Sequence, residues 1–357
     1  MKIITIVGAR PQFVKAAVVS RALSKVSDIE ELIVHTGQHH DANMSDVFFD
    51  EMEIPKPTFN LGIHGLGHGA MTGQMLEGLE AIYRDQKPDR VLVYGDTNST
   101  LAGALAAAKM HIPVAHVEAG LRSFNMKMPE EINRILTDRI SDLLFCPTQT
   151  AIDNLTKEGY PFAENKLILS GDVMQDAAMY YAQTSASKST IIEKLKLRDF
   201  VLCTLHRAEN TDDLSRLKSI IDSLSEIHNV VPVVLPLHPR TQKIVKDAGI
   251  NLPFTVIDPV GYFDMIEMLK HCSLVMTDSG GLQKEAFFFA KHCITLRDET
   301  EWVELVQGGF NKLAGADYNK ILSSFEEMRN KKSDFSVNLY GGGKASEKIV
   351  NELHRSS

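Results

Sequence analysis

Residues 91–109, VLVYGDTNSTLAGALAAAK, pass from an unbroken apolar run through a polar turn into a helical pattern of small residues. An apolar run of strand length without polar alternation suits a strand covered on both faces, and a helix that follows within a few residues completes a βα unit. The same grammar extends to either side: IITIV and a helix from about Pro11, LIVHT, a helix through MLEGLEAIY, VAHVE, a helix from about Pro129, LLFCP, and a helix from Thr148. A parallel sheet with helices on both faces is expected. After a Ser/Thr/Lys-rich stretch at 183–190 the alternation restarts with FVLCTL, PVVLPL, FTVI, LVMT and ITL, which predicts a second doubly wound domain. Residues 184–189 have linker composition, so the domains are expected at 1–183 and 190–343.

The length of 357 residues, more than one hydrophobic core usually serves, agrees with two units. With 44% hydrophobic and 24% charged residues, no long disordered tract is expected. The net charge of -8 argues against a nucleic-acid partner, which calls for a basic face. The opening MKIITIVGARPQF has only a short apolar run before Gly8 and no cleavage pattern, and no stretch is long enough to span a bilayer. A soluble, cytoplasmic protein without a membrane partner is the expectation. Cys146, Cys203, Cys272 and Cys293 lie in or beside apolar runs without metal-type pairing and read as buried free thiols.

Ligands of open α/β sheets bind beyond the carboxyl ends of the strands. Both halves of the chain place polar residues there, so the cleft between the domains is the expected active site. In TDSGGLQKEAFFF, residues 277–289, a strand ends, Ser279, Gly280 and Gly281 turn the chain and a helix opens. Such a turn aims N–H groups and the positive helix end at an anion such as a diphosphate. Glu285, one turn further on, could accept hydrogen bonds from a ribose diol. The bland alternative is an ordinary helix start. In GARPQFVK, Arg10 and Lys15 could neutralise phosphate oxygens, or be a surface arginine and a snorkelling lysine.

Asp96 and Glu118 emerge from successive strand ends, and Glu130 and Glu131 open the helix after Pro129, where the helix dipole alone accounts for one acid. His206 and His238 follow two strands of the second half, placed for proton exchange or phosphate binding. The first βα turn lacks GxGxxG, so no dinucleotide is expected. GGGKAS at 341–346 has Ala345 where a P-loop needs a hydroxyl, and His64 and His68 lack further ligands nearby, so neither a cofactor nor a metal is expected.

Taken together, GARPQFVK, TGQHHDANM, YGDTNSTLAGALAA, HVEAGLR, PEEINR, HRAEN, HPR, TDSGGLQKEA and RDETEW resemble the non-hydrolysing UDP-N-acetylglucosamine 2-epimerase family, from residue 3 to about residue 350. The resemblance implies a GT-B-like α/β fold of two Rossmann-like domains with the active site in the interdomain cleft, a C-terminal helix at 344–357 packing back on the first domain, and a homodimer. It implies catalytic roles for Asp96, Glu118, Glu130 and His206, and UDP contacts for Arg10, Lys15, His238, Ser279, Gly280, Gly281 and Glu285. Its chemistry is anti elimination of UDP with loss of the C2 proton, then re-addition with the proton on the opposite face. HVEAGLRSFNMKMPEE, RDETEWVELV and YGGGKAS depart from the plain family pattern and are similar to the branch acting on UDP-2,3-diacetamido-2,3-dideoxy-glucuronate, which supplies surface polysaccharides. Some members bind a second UDP-sugar through the loop holding Gln38 and His39, whose following residues are altered here. The rival reading is a GT-B glycosyltransferase using a UDP-sugar donor, which leaves C2 hydrogen unexchanged.

Overall fold

A computed structural model describes residues 1–38, 54–162 and 165–356. They form two compact units, residues 1–177 with 338–357 and residues 178–337. In the first unit seven parallel strands are ordered β3-β2-β1-β4-β5-β6-β7. These are Lys2–Val7 (β1), Glu30–His35 (β2), Phe59–Asn60 (β3), Arg90–Tyr94 (β4), Val114–Val117 (β5), Leu143–Cys146 (β6) and Lys166–Leu169 (β7). The second unit orders six parallel strands β10-β9-β8-β11-β12-β13. They are Val201–Thr204 (β8), Val233–Pro236 (β9), Thr255–Ile257 (β10), Leu274–Thr277 (β11), Cys293–Thr295 (β12) and Asn311–Leu313 (β13). Each sheet reverses its winding once, between β1 and β4 and between β8 and β11. Crevices at such reversals are where doubly wound sheets hold ligands.

The apolar runs earn their lack of alternation. Val201 and Cys203 of β8 belong to one buried cluster with Leu217, Ile220 and Leu224 of the helix Leu214–His228. Their neighbour Leu202 points the other way, into a cluster with Met268 and Leu269 of the helix Tyr262–His271. Side chains alternate between faces with period two, and both faces are covered, so every position must be apolar. Helix starts follow local chemistry: Thr97 accepts from Thr100 N ahead of Asn98–Lys109, Thr148 from Ala151 N ahead of Gln149–Lys157, and Asp317 from Lys320 N ahead of Tyr318–Arg329.

Residues 184–189, read as a linker, contain the short helix Ser185–Lys188. Ser185 is buried, its hydroxyl bonded to Glu267 at 2.6 Å, and Lys270 donates to Ala182 O at 2.7 Å. Partners some eighty residues away order a segment whose own composition is neutral. Residues 338–357 join the first unit through Asp172 N to Tyr340 O at 2.8 Å and through Asp176, which accepts from Ala345 N and Ser346 N. All four cysteines are free and buried, and burial pushes their thiols up, Cys272 to about 12. Among the described residues no helix is long and apolar enough to cross a membrane.

Candidate active site

In the first unit the turn after β1 is filled by its own chain. Gln12, buried on the third residue of the helix Arg10–Leu23, accepts from Gly8 N at 2.8 Å and Ala9 N at 3.0 Å. Its amide donates to Tyr94 O and Thr100 Oγ1, both at 2.9 Å, which ties this turn to the one after β4. Gly8 packs so tightly that a Cβ there would fall inside Thr36 Oγ1 and Ser99 Oγ. Arg10 opens the helix; its side chain lies outside the described part of the structure, as does His39. Gln38 accepts from Ser99 N at 3.1 Å and Ser99 Oγ at 2.8 Å.

After β4, Gly95 turns the chain at φ +63° and presents Asp96. Two residues of the helix Pro129–Arg139 hold it: Asn133 donates to the Asp96 carbonyl at 2.9 Å, and Arg134 to its carboxylate at 2.5 Å. After β5, Glu118 stands at φ +74°. A non-glycine residue in that region costs about 1 kcal/mol, and strain of this kind gathers at functional sites. Glu118 N and Ala119 N both donate to Phe145 O, at 3.1 and 3.0 Å, which holds the conformation. The Glu118 carboxylate pairs with the Lys15 ammonium, and both side chains are buried. A Cβ on Gly95 would lie 3.2 Å from Lys15 Nζ and 3.3 Å from Glu118 Oε2, so the three meet around one glycine.

Glu130 and Glu131 divide their roles sharply. Glu131 is fully buried and reaches back to Phe124 N at 2.9 Å and Ser123 N at 3.0 Å, while pairing with Arg134. It is a brace for the preceding loop, not a solvated helix-start charge. Glu130 is exposed.

In the second unit, His206 lies just after β8 and Asp278 directly after β11. The buried Asp278 accepts from His206 N at 3.0 Å, Arg207 N at 2.9 Å and Asn210 Nδ2 at 3.3 Å, and its Oδ1 lies 3.1 Å from His206 Nδ1. Burial alone would raise the Asp278 carboxyl, but the hydrogen bond and charge of His206 and the two backbone donors outweigh it and hold it below the usual range. The His206 side chain remains half exposed. Thr277 Oγ1 takes Ser279 N at 2.9 Å and Ser279 caps the helix Gly280–Phe288. A Cβ on Gly281 would meet nothing within 4 Å, while Gly280 faces Trp302, Glu301 and Arg207. Glu285 is buried on the same helix, and His238 is exposed, its Nδ1 accepting from Arg240 N at 3.3 Å.

The family model described as UDP-N-acetylglucosamine 2-epimerase matches residues 21–354. The chain belongs to the UDP-N-acetylglucosamine 2-epimerase family. A relative from Pseudomonas aeruginosa, the UDP-2,3-diacetamido-2,3-dideoxy-D-glucuronate 2-epimerase, is 58% identical over 99% of both chains. The crystal structure of the Methanocaldococcus jannaschii UDP-GlcNAc 2-epimerase in complex with UDP-GlcNAc and UDP is similar at a TM-score of 0.93 and 42% identity, over 99% of this chain and 100% of that one. The Neisseria meningitidis UDP-GlcNAc 2-epimerase bound to UDP-GlcNAc is similar at 0.88 and 33%, over 99% and 100%. Two parallel doubly wound sheets and these neighbours give the 2-epimerase chain its α/β, GT-B-like fold, and family membership makes it an isomerase.

Within this 2-epimerase fold the first unit brings together Lys15, Glu118 and the Asp96 turn, and the second brings His206 to Asp278, the residue before Ser279. Lys15 is neither a surface residue nor a snorkelling one; its ammonium meets a carboxylate inside the unit. Reading by position gave no role to Gln12, Asn133, Arg134 or Asp278, which hold the candidate groups. Asp278 was visible as a strand-end acid. The other three lie inside helices, where only the fold shows which way they reach.

Proposed function

We propose that the chain inverts C2 of a UDP-linked 2-acetamido sugar by eliminating and re-adding UDP, with UDP-2,3-diacetamido-2,3-dideoxy-glucuronate as substrate. The C2 proton is not acidic on its own, so its removal is coupled to departure of UDP. The C1–O electron pair leaves with the diphosphate, the C2–H pair becomes the double bond of a 2-acetamidoglucal, and the proton passes to a carboxylate. Re-addition restores the C1–O bond and delivers a proton to the other face of C2. Carboxylates suit the positive charge that develops at C1 and the proton transfers beside it.

The observation that carries this reading is the pair of acids at the ends of β4 and β5, Asp96 and Glu118, each held by a buried cation, Arg134 or Lys15. Exposed Glu130 is the third member. The open turn at Ser279, Gly280 and Gly281 is assigned the diphosphate, with Arg10, His238 and Glu285 completing the UDP contacts; His206, oriented by Asp278, faces the leaving group. Lys15 is given to Glu118 instead of a phosphate. The choice of the diacetamido uronate is supported by 58% identity to the Pseudomonas aeruginosa enzyme, against 43% to the Methanocaldococcus jannaschii UDP-N-acetylglucosamine 2-epimerase. The same reading makes the protein a cytoplasmic homodimer that feeds a manno-configured sugar to surface polysaccharide synthesis.

Turnover in deuterium oxide places deuterium at C2 of recovered UDP-sugar, and the diacetamido uronate is converted faster than UDP-N-acetylglucosamine. Sugar transfer to an acceptor with C2 hydrogen retained would overturn the reaction. Asp96→Asn and Glu130→Gln each lower turnover about 10³-fold while UDP affinity changes by less than about three-fold. Wild-type rates in both amides remove those carboxylates from the mechanism.

A further inference from the structure

Behind the two acidic turns lies a buried group of charges to which the reaction above gives no task. His116, on β5 between the turns, is completely buried. Its Nε2 lies 2.7 Å from the Gly95 carbonyl and its Nδ1 2.7 Å from Asp138 Oδ1. Asp138, also completely buried, uses its other oxygen for Arg122 Nη1 at 2.7 Å and Gly120 N at 3.1 Å. Arg122 in turn forks onto Glu158 at 2.7 and 2.8 Å.

Donor and acceptor counting fixes the protons. A backbone carbonyl only accepts, so His116 Nε2 carries hydrogen. Asp138 already takes hydrogens from the Arg122 guanidinium and from Gly120 N, and a carboxylate paired with a buried guanidinium only accepts. Nδ1 therefore also carries hydrogen. The other titratable groups influenced by Asp138 and Arg122, Cys146 and Tyr160, are pushed up, first by burial and next by the Asp138 charge, Tyr160 to about 12, so both are neutral.

We propose that His116 is a positioning residue: held as a double donor between Asp138 and the Gly95 carbonyl, it sets the Asp96 turn, while Asp138 sets the Glu118 turn through Gly120. One carboxylate thus fixes the spacing of two acids that approach the same sugar. Gly95 and Gly120 both need this, since they sit at φ +63° and +79°, and Gly120 is so close to Ala151 O that no side chain could stand there. The proposal rests on the assignment of Asp96 and Glu118 to the C2 chemistry.

The test uses the full-length protein labelled with nitrogen-15 in histidine. Two ring signals, identified by their loss in His116→Gln, both show attached protons at neutral pH; a bare ring nitrogen at His116 overturns the clamp. In His116→Gln, which keeps one donor, kcat falls about 10²-fold with KM and UDP affinity within about two-fold, the pattern of a misplaced reacting group. Asp138→Asn gives the same split. A kcat within about three-fold of wild type, or a loss confined to KM, overturns the positioning role. Should these variants fail to fold, the His116 ring signals of the wild-type protein are assigned instead through bond couplings from its own backbone amide, and their attached protons still decide. A doubly protonated ring in a protein that exchanges no C2 hydrogen upholds the clamp and counts against the assigned reaction instead.

Discussion

At the end of β1 the chain closes on itself: Gln12 folds back onto Gly8 N and Ala9 N, and Thr36 and Ser99 crowd the glycine. At the end of β11 a turn of the same kind, also beside a winding reversal, leaves the space over Gly281 empty. Both join a parallel strand to a helix, and both carry the positive end of that helix. The difference is the residue placed three positions into the helix. A glutamine that supplies its own acceptor uses up the donors an anion would want, while Leu282 at the matching position of the helix Gly280–Phe288 cannot. The first turn is thus sealed by its own helix, whereas at the second Ser279 takes Leu282 N and the space over Gly281 stays open; the sealed turn, tied to Tyr94 O and Thr100, backs the turn that presents Asp96.

Three experiments sharpen or break that contrast. The largest effect is expected from Gly8→Ala, whose methyl group collides with two buried hydroxyl groups; it destabilises the first unit by about 3 kcal/mol, seen as a lowered unfolding midpoint in urea. An unchanged midpoint would mean that the turn has slack. Gly281→Ala comes next and behaves in the opposite manner. It leaves thermal stability unchanged or slightly raised, because the methyl group meets nothing, yet weakens UDP binding about ten-fold in calorimetry by standing where the anion approaches. Equal UDP affinity in this variant would place the diphosphate elsewhere.

The smallest effect concerns Asp278 and pH. Its carboxyl titrates lower in the folded chain than the ordinary value of 3.8, so its contribution to stability is fully present above the unfolded value and fades as pH falls through the folded one. Asp278→Asn therefore unfolds with a flatter acid limb than the parent in pH-dependent denaturation. Parallel acid limbs would show that the His206 and Arg207 contacts contribute nothing net.

Central strands were legible in the sequence because burial on two faces leaves no room for polar residues, and their carboxyl ends located Asp96, Glu118, His206 and Ser279 without coordinates. The edge strands β3, β7 and β13 were not. Phe59–Asn60 is two residues long, and Lys166–Leu169 holds a run of three apolar residues none of which is fully buried, so neither shows the long apolar run of a covered strand. The supports of the site were hidden for a different reason. Nothing local distinguishes Glu131, a buried brace, from its neighbour Glu130, which faces solvent; the helix turns them about 100° apart and the fold alone decides which side is inside. His116 was invisible in the same way, one polar residue in an apolar strand whose two partners come from distant segments.

Residues 338–357 complete the unit that residues 1–177 begin, with everything between belonging to the other. During synthesis the ribosome therefore emits all of the second unit before the first has its closing helix. The earlier half must wait, partly unclosed, while its younger companion has everything needed to fold, and a fragment stopped at residue 337 would yield a finished second unit beside an unfinished first.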